Sequence, residues 1–331
     1  MADYINIYGQ DILAVTSDPA NPTLGQIWYN TTSNTLKGLG VSTVGAWATG
    51  NNMNTARIVL AGAGIQTAAL AFAGDLPGVS SATEEYDGNS WTNSNPLNTS
   101  RSFLAGTGTQ TSALAFGGYT GTAYTGATEE YDGNSWASNP TGLNTVRGEF
   151  AGCGTQTAGL AFGGNLPPRT AATEEYNGST WTSVNSMVTA RKQLAGTGIQ
   201  TAALAFGGTT TAPSNPGTTG ATEEYNGATW TSNPTGLNTV RRGLSGAGIQ
   251  TATLAFGGYS VPTAYTGATE EYNGTSWTTS PASMNTARTS LAGAGTQTAG
   301  LAFGGETGSN VAATEEWTGA GSPLTKTITA S

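Results

Sequence analysis

This sequence predicts an all-β fold built from one unit repeated six times, and three observations carry that expectation. An arginine opens each copy, at Arg57, Arg101, Arg147, Arg191, Arg241 and Arg288, in steps of 44, 46, 44, 50 and 47 residues. An apolar run then closes on Gly-Gly, at Gly117-Gly118, Gly163-Gly164, Gly207-Gly208, Gly257-Gly258 and Gly304-Gly305, with Ala73-Gly74 in the first copy. A Glu-Glu-aromatic triplet follows, ending at Tyr86, Tyr131, Tyr176, Tyr225, Tyr272 and Trp317, and a tryptophan comes five residues later at Trp91, Trp136, Trp181, Trp230 and Trp277. Periods of this length belong to architectures in which each unit buries its apolar face against its neighbours.

Residues 1–50 differ from the rest. YINIYGQDILAVT alternates enough for one or two short strands, SDPANPTLG reads as a linker, and QIWYN with TLKGL reads as a hairpin across a polar turn. Trp47 lies 10 residues before Arg57, as Trp91 lies 10 before Arg101, so this region ends in a final-strand piece that has no preceding copy.

Within each copy four strands are expected. Strand a is the Ala/Gly-rich LAGAG type (Leu60–Gly64), followed by a turn containing Gln66, Gln110, Gln156, Gln200, Gln250 or Gln297. Strand b is ALAFGG (Ala113–Gly118) and strand c is ATEEY (Ala127–Tyr131). An Asp-Gly or Asn-Gly turn, as at Asp87-Gly88 and Asn177-Gly178, leads to strand d at the tryptophan. Both turn residues tolerate positive φ, which makes these dipeptides strong hairpin signals.

Four antiparallel strands repeated six times read as a β-propeller, with small residues on the innermost strand and aromatics between blades. A β-solenoid is the alternative. The expected division is a docking and closure segment, residues 1–50, and a propeller, residues 51–331. Trp47 can supply strand d to the blade containing Glu315–Trp317, giving six blades. If SPLTKTITAS takes that place instead, residues 26–49 become most of a seventh.

Composition narrows the function. Charged residues make up 9% of the chain and the net charge is −9, which argues against nucleic acid, whose phosphates need a basic patch. There is no histidine, and the single cysteine, Cys153, allows no intrachain disulfide. No apolar run is long enough to span a bilayer, and MADYINIYGQD lacks the regions of a signal peptide. The expectation is a protein that is assembled in the cytoplasm and leaves, if at all, by lysis or assembly.

The paired glutamates, such as Glu84-Glu85 and Glu129-Glu130, suggest acid–base chemistry, but adjacent strand residues point to opposite faces. One Arg and one such pair per copy fit a repeated structural ion pair better, for instance Arg147 with a strand-c glutamate. The tryptophans Trp47, Trp91, Trp136, Trp181, Trp230 and Trp277 are read as structural repeat residues like the arginines. Cys153 stands where other copies have Ala or Thr, with no base beside it. A calcium site at the Asp87 and Asp132 turns is disfavoured because Asn replaces Asp in three other copies. No catalytic, cofactor or metal residue is therefore expected.

The connections sort by face. The a–b and c–d turns share one face and are short and uniform. The b–c connections share the other with d–a, and they vary: DLPGVSS, YTGTAYTG, NLPPRTA, TTTAPSNPGTTG, YSVPTAYTG and ETGSNVA. Variable loops on a rigid scaffold are where specificity sits, although unconstrained drift gives the same pattern. Tyr119, Tyr124, Tyr259 and Tyr265 lie there, and exposed tyrosines suit glycans or protein epitopes. These four are the candidate ligand-binding residues.

The Gly-Gly after strand b, the Tyr followed by a Trp, and the Arg ten residues later resemble the kelch-repeat family over about residues 45–318. That resemblance implies six kelch-like blades. Kelch folds also host copper-radical oxidases, whose histidine ligands this chain lacks, and sialidases are propellers whose Asp-box spacing differs from DGNSW. PTLGQIWYNTTSNTLKGL resembles a segment of phage tail-fibre and related virion proteins. The repeats with ATEEYNGTSW and the ending ATEEWTGAGSPLTKTITAS resemble kelch-like structural proteins of marine bacteriophages. Together these imply a non-enzymatic virion protein. Its expected role is receptor binding or host attachment at the tail, with other virion proteins held through residues 1–50 and a host glycan or protein held by the loops. A capsid decoration protein and an intracellular kelch-type adaptor are the alternatives. Homo-oligomers are common among phage fibres, but no heptad pattern marks a coiled coil here.

Overall fold

The computed structural model describes residues 12–42, 44–210, 217–260, 264–321 and 323–328, and none of them is helical. The chain divides into two compact units, residues 46–317 and residues 1–45 together with 318–331.

The larger unit holds six four-stranded sheets, each with its strands in the order a-b-c-d. Blade one is Ala61–Ile65, Ala68–Phe72, Thr83–Tyr86 and Trp91–Ser94. Blade two is Ala105–Thr109, Ser112–Phe116, Thr128–Tyr131 and Trp136–Asn139, with Ala113 opposite Tyr131 and Tyr131 opposite Trp136. Each strand a lies against the strand a of the next blade, and Ala292–Gly295 of the last lies against Ala61–Ile65 of the first. The circle closes, so the unit is a β-propeller with six blades.

Closure uses the N-terminal piece. Ala46–Gly50 lies beside Thr314–Thr318 as the outer strand of blade six. The C-terminal strand Pro323–Ile328 instead pairs antiparallel with Thr35–Val41 in the smaller unit. There Thr35–Val41 also pairs with Ile27–Asn30, which runs parallel to Leu13–Val15. The two strands of the IWYN hairpin are thus committed to a separate sheet, and they form no seventh blade. The strand expected within residues 1–11 lies outside the described residues.

The repeated residues explain the packing between blades. Trp136 of blade two stacks on Phe72 of blade one at 4.9 Å, and its Nε1 donates to Thr83 Oγ1 at 3.0 Å. Gln110 reaches back across the same boundary, and its Nε2 donates to the carbonyls of Ala69 and Tyr86 at 3.0 and 2.7 Å. All six glutamines staple a blade to its predecessor in this way, a role that turn position alone did not reveal. Strand a is Gly-rich for a definite reason: a Cβ on Gly106 would sit 2.3 Å from Phe72 Cζ. The missing side chain admits the neighbouring phenylalanine, whose burial stabilises by roughly 1.5–3 kcal/mol.

The first glutamate of each pair meets the arginine. The bridges are Arg57–Glu84 (2.8 Å), Arg101–Glu129 (3.1 Å), Arg147–Glu174 (2.5 Å), Arg191–Glu223 (3.0 Å), Arg241–Glu270 (2.6 Å) and Arg288–Glu315 (2.5 Å). All twelve groups are buried. The carboxylate also accepts a backbone N–H from the d–a connection, as from Asn144 to Glu174 at 2.6 Å. Each bridge therefore pins a loop to the middle of a blade. Burial lowers the pKa of every one of these arginines, that of Arg101 to about 10, and the facing carboxylate opposes the effect.

Candidate functional site

The face carrying the d–a and b–c connections is built as concentric circles. Two residues after each arginine come Val59, Phe103, Glu149, Gln193, Gly243 and Ser290, all with φ between 48 and 60°. Left-handed backbone costs an L-residue about 1–2 kcal/mol, and hydrogen bonding offsets the cost here. The N–H of Phe103 donates to Val59 O, Glu149 to Phe103, Gln193 to Glu149, Gly243 to Gln193, Ser290 to Gly243 and Val59 to Ser290, at 2.7–3.0 Å. The six residues form a closed hydrogen-bonded ring around the propeller axis. Just after it in sequence, Leu60, Leu104, Phe150, Leu194, Leu244 and Leu291 are buried. They line the axial cavity together with the ring. The sequence pattern puts Leu60 in strand a, but the strand starts one residue later at Ala61.

A second circle surrounds the first. The residue after each arginine pairs with the residue after Gly-Gly: Ile58 with Asp75, Ser102 with Tyr119, Gly148 with Asn165, Lys192 with Thr209, Arg242 with Tyr259 and Thr289 with Glu306. Those partners pair outward again, Tyr119 with Tyr124 and Tyr259 with Tyr265. The b–c connections are thus small sheets of their own, anchored to the ring.

The four candidate tyrosines resolve into two pairs. Tyr119 and Tyr124 meet edge to face at 5.6 Å on blade two, and Tyr259 and Tyr265 do the same at 5.6 Å on blade five. Blades two and five are three steps apart in a circle of six, so the pairs stand on opposite sides of the axis. The loop sequences predict exposed rings. All four are half-buried, because each pair packs on itself and leans on the next blade. Asn165 Nδ2 donates to Tyr124 Oη at 2.6 Å, and Tyr265 Oη donates to Glu306 Oε1 at 3.2 Å.

Charge gathers on the same face. Apart from the six buried arginines, the cations within residues 46–317 are Arg169, Lys192 and Arg242, all on the b–c and d–a connections. Lys192 pairs with Glu149 at 3.0 Å, and the Arg242 guanidinium lies over the Tyr259 ring at 4.8 Å. On the opposite face the c–d turns carry Asp87 and Asp132, whose carboxylates are spent on the turn. Asp87 Oδ1 accepts the N–H groups of Ser90 and Asn89 at 2.7 and 2.9 Å, which hold its pKa low.

Beside the axis the variable face opens into a pocket of about 300 Å³, lined by Gln193, Arg242, Gly243, Tyr259, Tyr265, Thr289, Ser290 and Glu306. Gly243 and Ser290 make the opening. At the equivalent positions beside Tyr119 and Tyr124 the ring carries Phe103 and Glu149. Sequence reasoning found the two tyrosines but not Gln193, Arg242 or Glu306, whose only signal was their offset from Arg and from Gly-Gly.

Cys153 lies apart, buried in strand a of blade three, where burial pushes its thiol pKa up. Among the described residues no cluster of three or more His, Cys, Asp or Glu is placed to hold a metal, and no helix is long and apolar enough to cross a membrane. No protein-family model matches the chain, and no curated protein matches it.

Proposed function

We propose that this chain is a non-enzymatic virion protein of a bacteriophage whose propeller displays a ligand-binding face for host attachment. The observation that carries the reading is the contrast between faces. One is uniform from blade to blade and its Asp side chains are spent on turns. The other gathers the length variation, both tyrosine pairs, and Arg169, Lys192 and Arg242, on connections pinned by a hydrogen-bonded ring. Such a scaffold holds side chains still while their identity changes, which suits recognition. The resemblance of residues 22–39 to a tail-fibre segment supports a role for the smaller unit in holding other virion proteins, and the kelch resemblance supports the binding role of the larger.

Immunogold labelling of purified particles with antibody against the propeller tests this reading. Label at the tail tip is expected. Label over the head, at hundreds of copies, would make the chain a decoration protein. No label on intact particles would return the reading to an intracellular adaptor.

A further inference from the structure

We infer that the pocket between blades five and six binds a neutral hexose unit, the terminal sugar of a surface glycan. This rests on the proposed binding role of the variable face and assigns its ligand class and position.

The argument starts from what the pocket leaves unsatisfied. Gln193 lines it, and Gln193 Oε1 is buried without a hydrogen-bond partner. A buried acceptor with no donor costs about 1–3 kcal/mol, so a turn of the Gln193 amide that brings Oε1 to the pocket wall would be favoured by a ligand hydroxyl that supplies the donor. Glu306 adds a carboxylate that accepts one bond from Tyr265 and has lone pairs to spare. Thr289 and Ser290 add hydroxyls, and the two tyrosines add apolar ring surface. Planar acceptors beside aromatic rings match a sugar, which offers vicinal hydroxyls on its rim and C–H groups on its faces. The volume of about 300 Å³ falls at the small end of ligand sites, the size for one or two sugar rings rather than a folded epitope.

Charge selects a neutral ligand. Arg242 is the cation of the pocket, but it lies over Tyr259, and Glu306 stands in the same cavity. An acidic sugar would meet that carboxylate and a chain of net charge −9. The fold also explains why the site is here and not at the opposite tyrosine pair. A Cβ on Gly243 would come within 2.4 Å of Thr289 Oγ1, so this ring position stays bare, while Phe103 and Glu149 fill the equivalent space on blade two.

The test uses the full chain and the methyl glycosides of glucose, galactose, mannose and N-acetylglucosamine, with methyl glucuronide as the acidic comparison. Binding is read by saturation-transfer NMR and titration. At least one neutral glycoside is expected to bind with a Kd in the millimolar range or tighter. Ser290→Phe is expected to abolish that binding. It copies the ring residue Phe103, whose backbone conformation is the same (φ 55° against 57°), so the substitution asks for no new backbone conformation. Glu306→Gln is expected to weaken binding about tenfold, and Asp132→Asn, in a c–d turn on the other face where three other copies carry Asn, to leave it unchanged. Circular dichroism and thermal melts confirm that each variant is folded. Binding of no neutral glycoside, binding that survives Ser290→Phe, or preference for the glucuronide would overturn the inference. None of these outcomes bears on where the protein sits on a particle, so failure here is distinct from failure of the labelling experiment.

Discussion

The indole Nε1 of Trp47 donates to Thr269 Oγ1 at 2.9 Å, joining residues 222 apart in sequence. Trp91, Trp136, Trp181, Trp230 and Trp277 make the same bond to Thr314, Thr83, Thr128, Thr173 and Thr222 of the preceding blade. Trp47 also packs edge to face against Phe256 at 5.2 Å, as Trp136 packs at a tilt against Phe72. The N-terminal strand therefore completes the last blade with the same chemistry that each other blade supplies for itself.

Closure through Trp47 should be as costly to break as any internal blade contact. Trp47→Ala removes a buried aromatic and leaves Thr269 Oγ1 without its donor, a loss of about 3–5 kcal/mol. Trp136→Ala should lose a similar amount. Thermal denaturation of the two variants checks this, and an unchanged Tm for Trp47→Ala would mean the circle is held elsewhere. A chain starting at residue 51 should expose the edge of Thr314–Thr318 and aggregate, because an uncovered strand edge recruits other strands.

The ion pairs act through what their removal leaves behind. Arg147→Met leaves Glu174 buried with its charge unpaired, at an expected cost of about 3–5 kcal/mol. In all six arginines Nε is buried without an acceptor. The intact pair is thus imperfectly satisfied, and replacing both partners should hurt less than replacing one. The double variant Arg147→Met with Glu174→Leu is expected to melt above Arg147→Met alone. Equal or lower Tm for the double variant would assign the glutamate a role beyond pairing, through its bond to the Asn144 N–H.

Sequence periodicity made most of the larger unit legible, because each conserved spacing corresponds to one contact repeated around the axis. Trp at strand d, the Asn-Gly and Asp-Gly turns, and the Ala/Gly strand a were readable because local rules of turn and strand chemistry specify them. The hydrogen-bonded ring at the axis was not readable. Val59, Phe103, Glu149, Gln193, Gly243 and Ser290 share no chemistry, and the closed geometry alone puts them in the left-handed region. The pocket was only half readable for the same reason. Tyr259 and Tyr265 stand out in a loop, but Gln193 and Glu306 come from neighbouring blades and meet them only once the circle is formed. The pairing of Pro323–Ile328 with Thr35–Val41 was missed because its two strands come from opposite ends of the chain.

One blade departs from the pattern of the second glutamates. Tyr131 donates to Glu85, Tyr176 to Glu130, Tyr225 to Glu175, Tyr272 to Glu224 and Tyr86 to Glu316. At Glu271 the aromatic in the equivalent place is Trp317, whose indole donates to Gln297 O instead. Burial raises the pKa of Glu271. A carboxyl with a raised folded pKa holds more protons folded than unfolded, so stability falls as the pH rises above the unfolded value of about 4.3. Glu271→Gln should therefore raise Tm at pH 7 and change it little at pH 4. Glu224→Gln, which exchanges the charged acceptor of Tyr272 for a weaker neutral amide oxygen, should lower Tm at pH 7. A Glu271→Gln variant that melts lower at pH 7 would show that the carboxylate is satisfied.

The smaller unit carries its own titration marker. Asp18 accepts hydrogen bonds from Lys37 Nζ at 2.7 Å, Asn30 Nδ2 at 2.8 Å and Trp28 Nε1 at 3.0 Å. Led by the Lys37 bond, these hold its pKa at about 2. For a carboxylate whose folded pKa is depressed, the stabilisation is present above the unfolded value of about 3.9 and is lost as pH falls towards 2. Trp28 is fully buried, so its indole N–H resonance reports one environment. That resonance should shift with a midpoint near pH 2 in the native chain. In Lys37→Ala the midpoint should move up towards the ordinary aspartate range, since the leading cause of the depression is gone while Asn30 and Trp28 still donate. A midpoint that stays near 2 would transfer the effect to Asn30 and Trp28. The hairpin strands Ile27–Asn30 and Thr35–Val41 would then be tied to Asp18 by neutral donors alone.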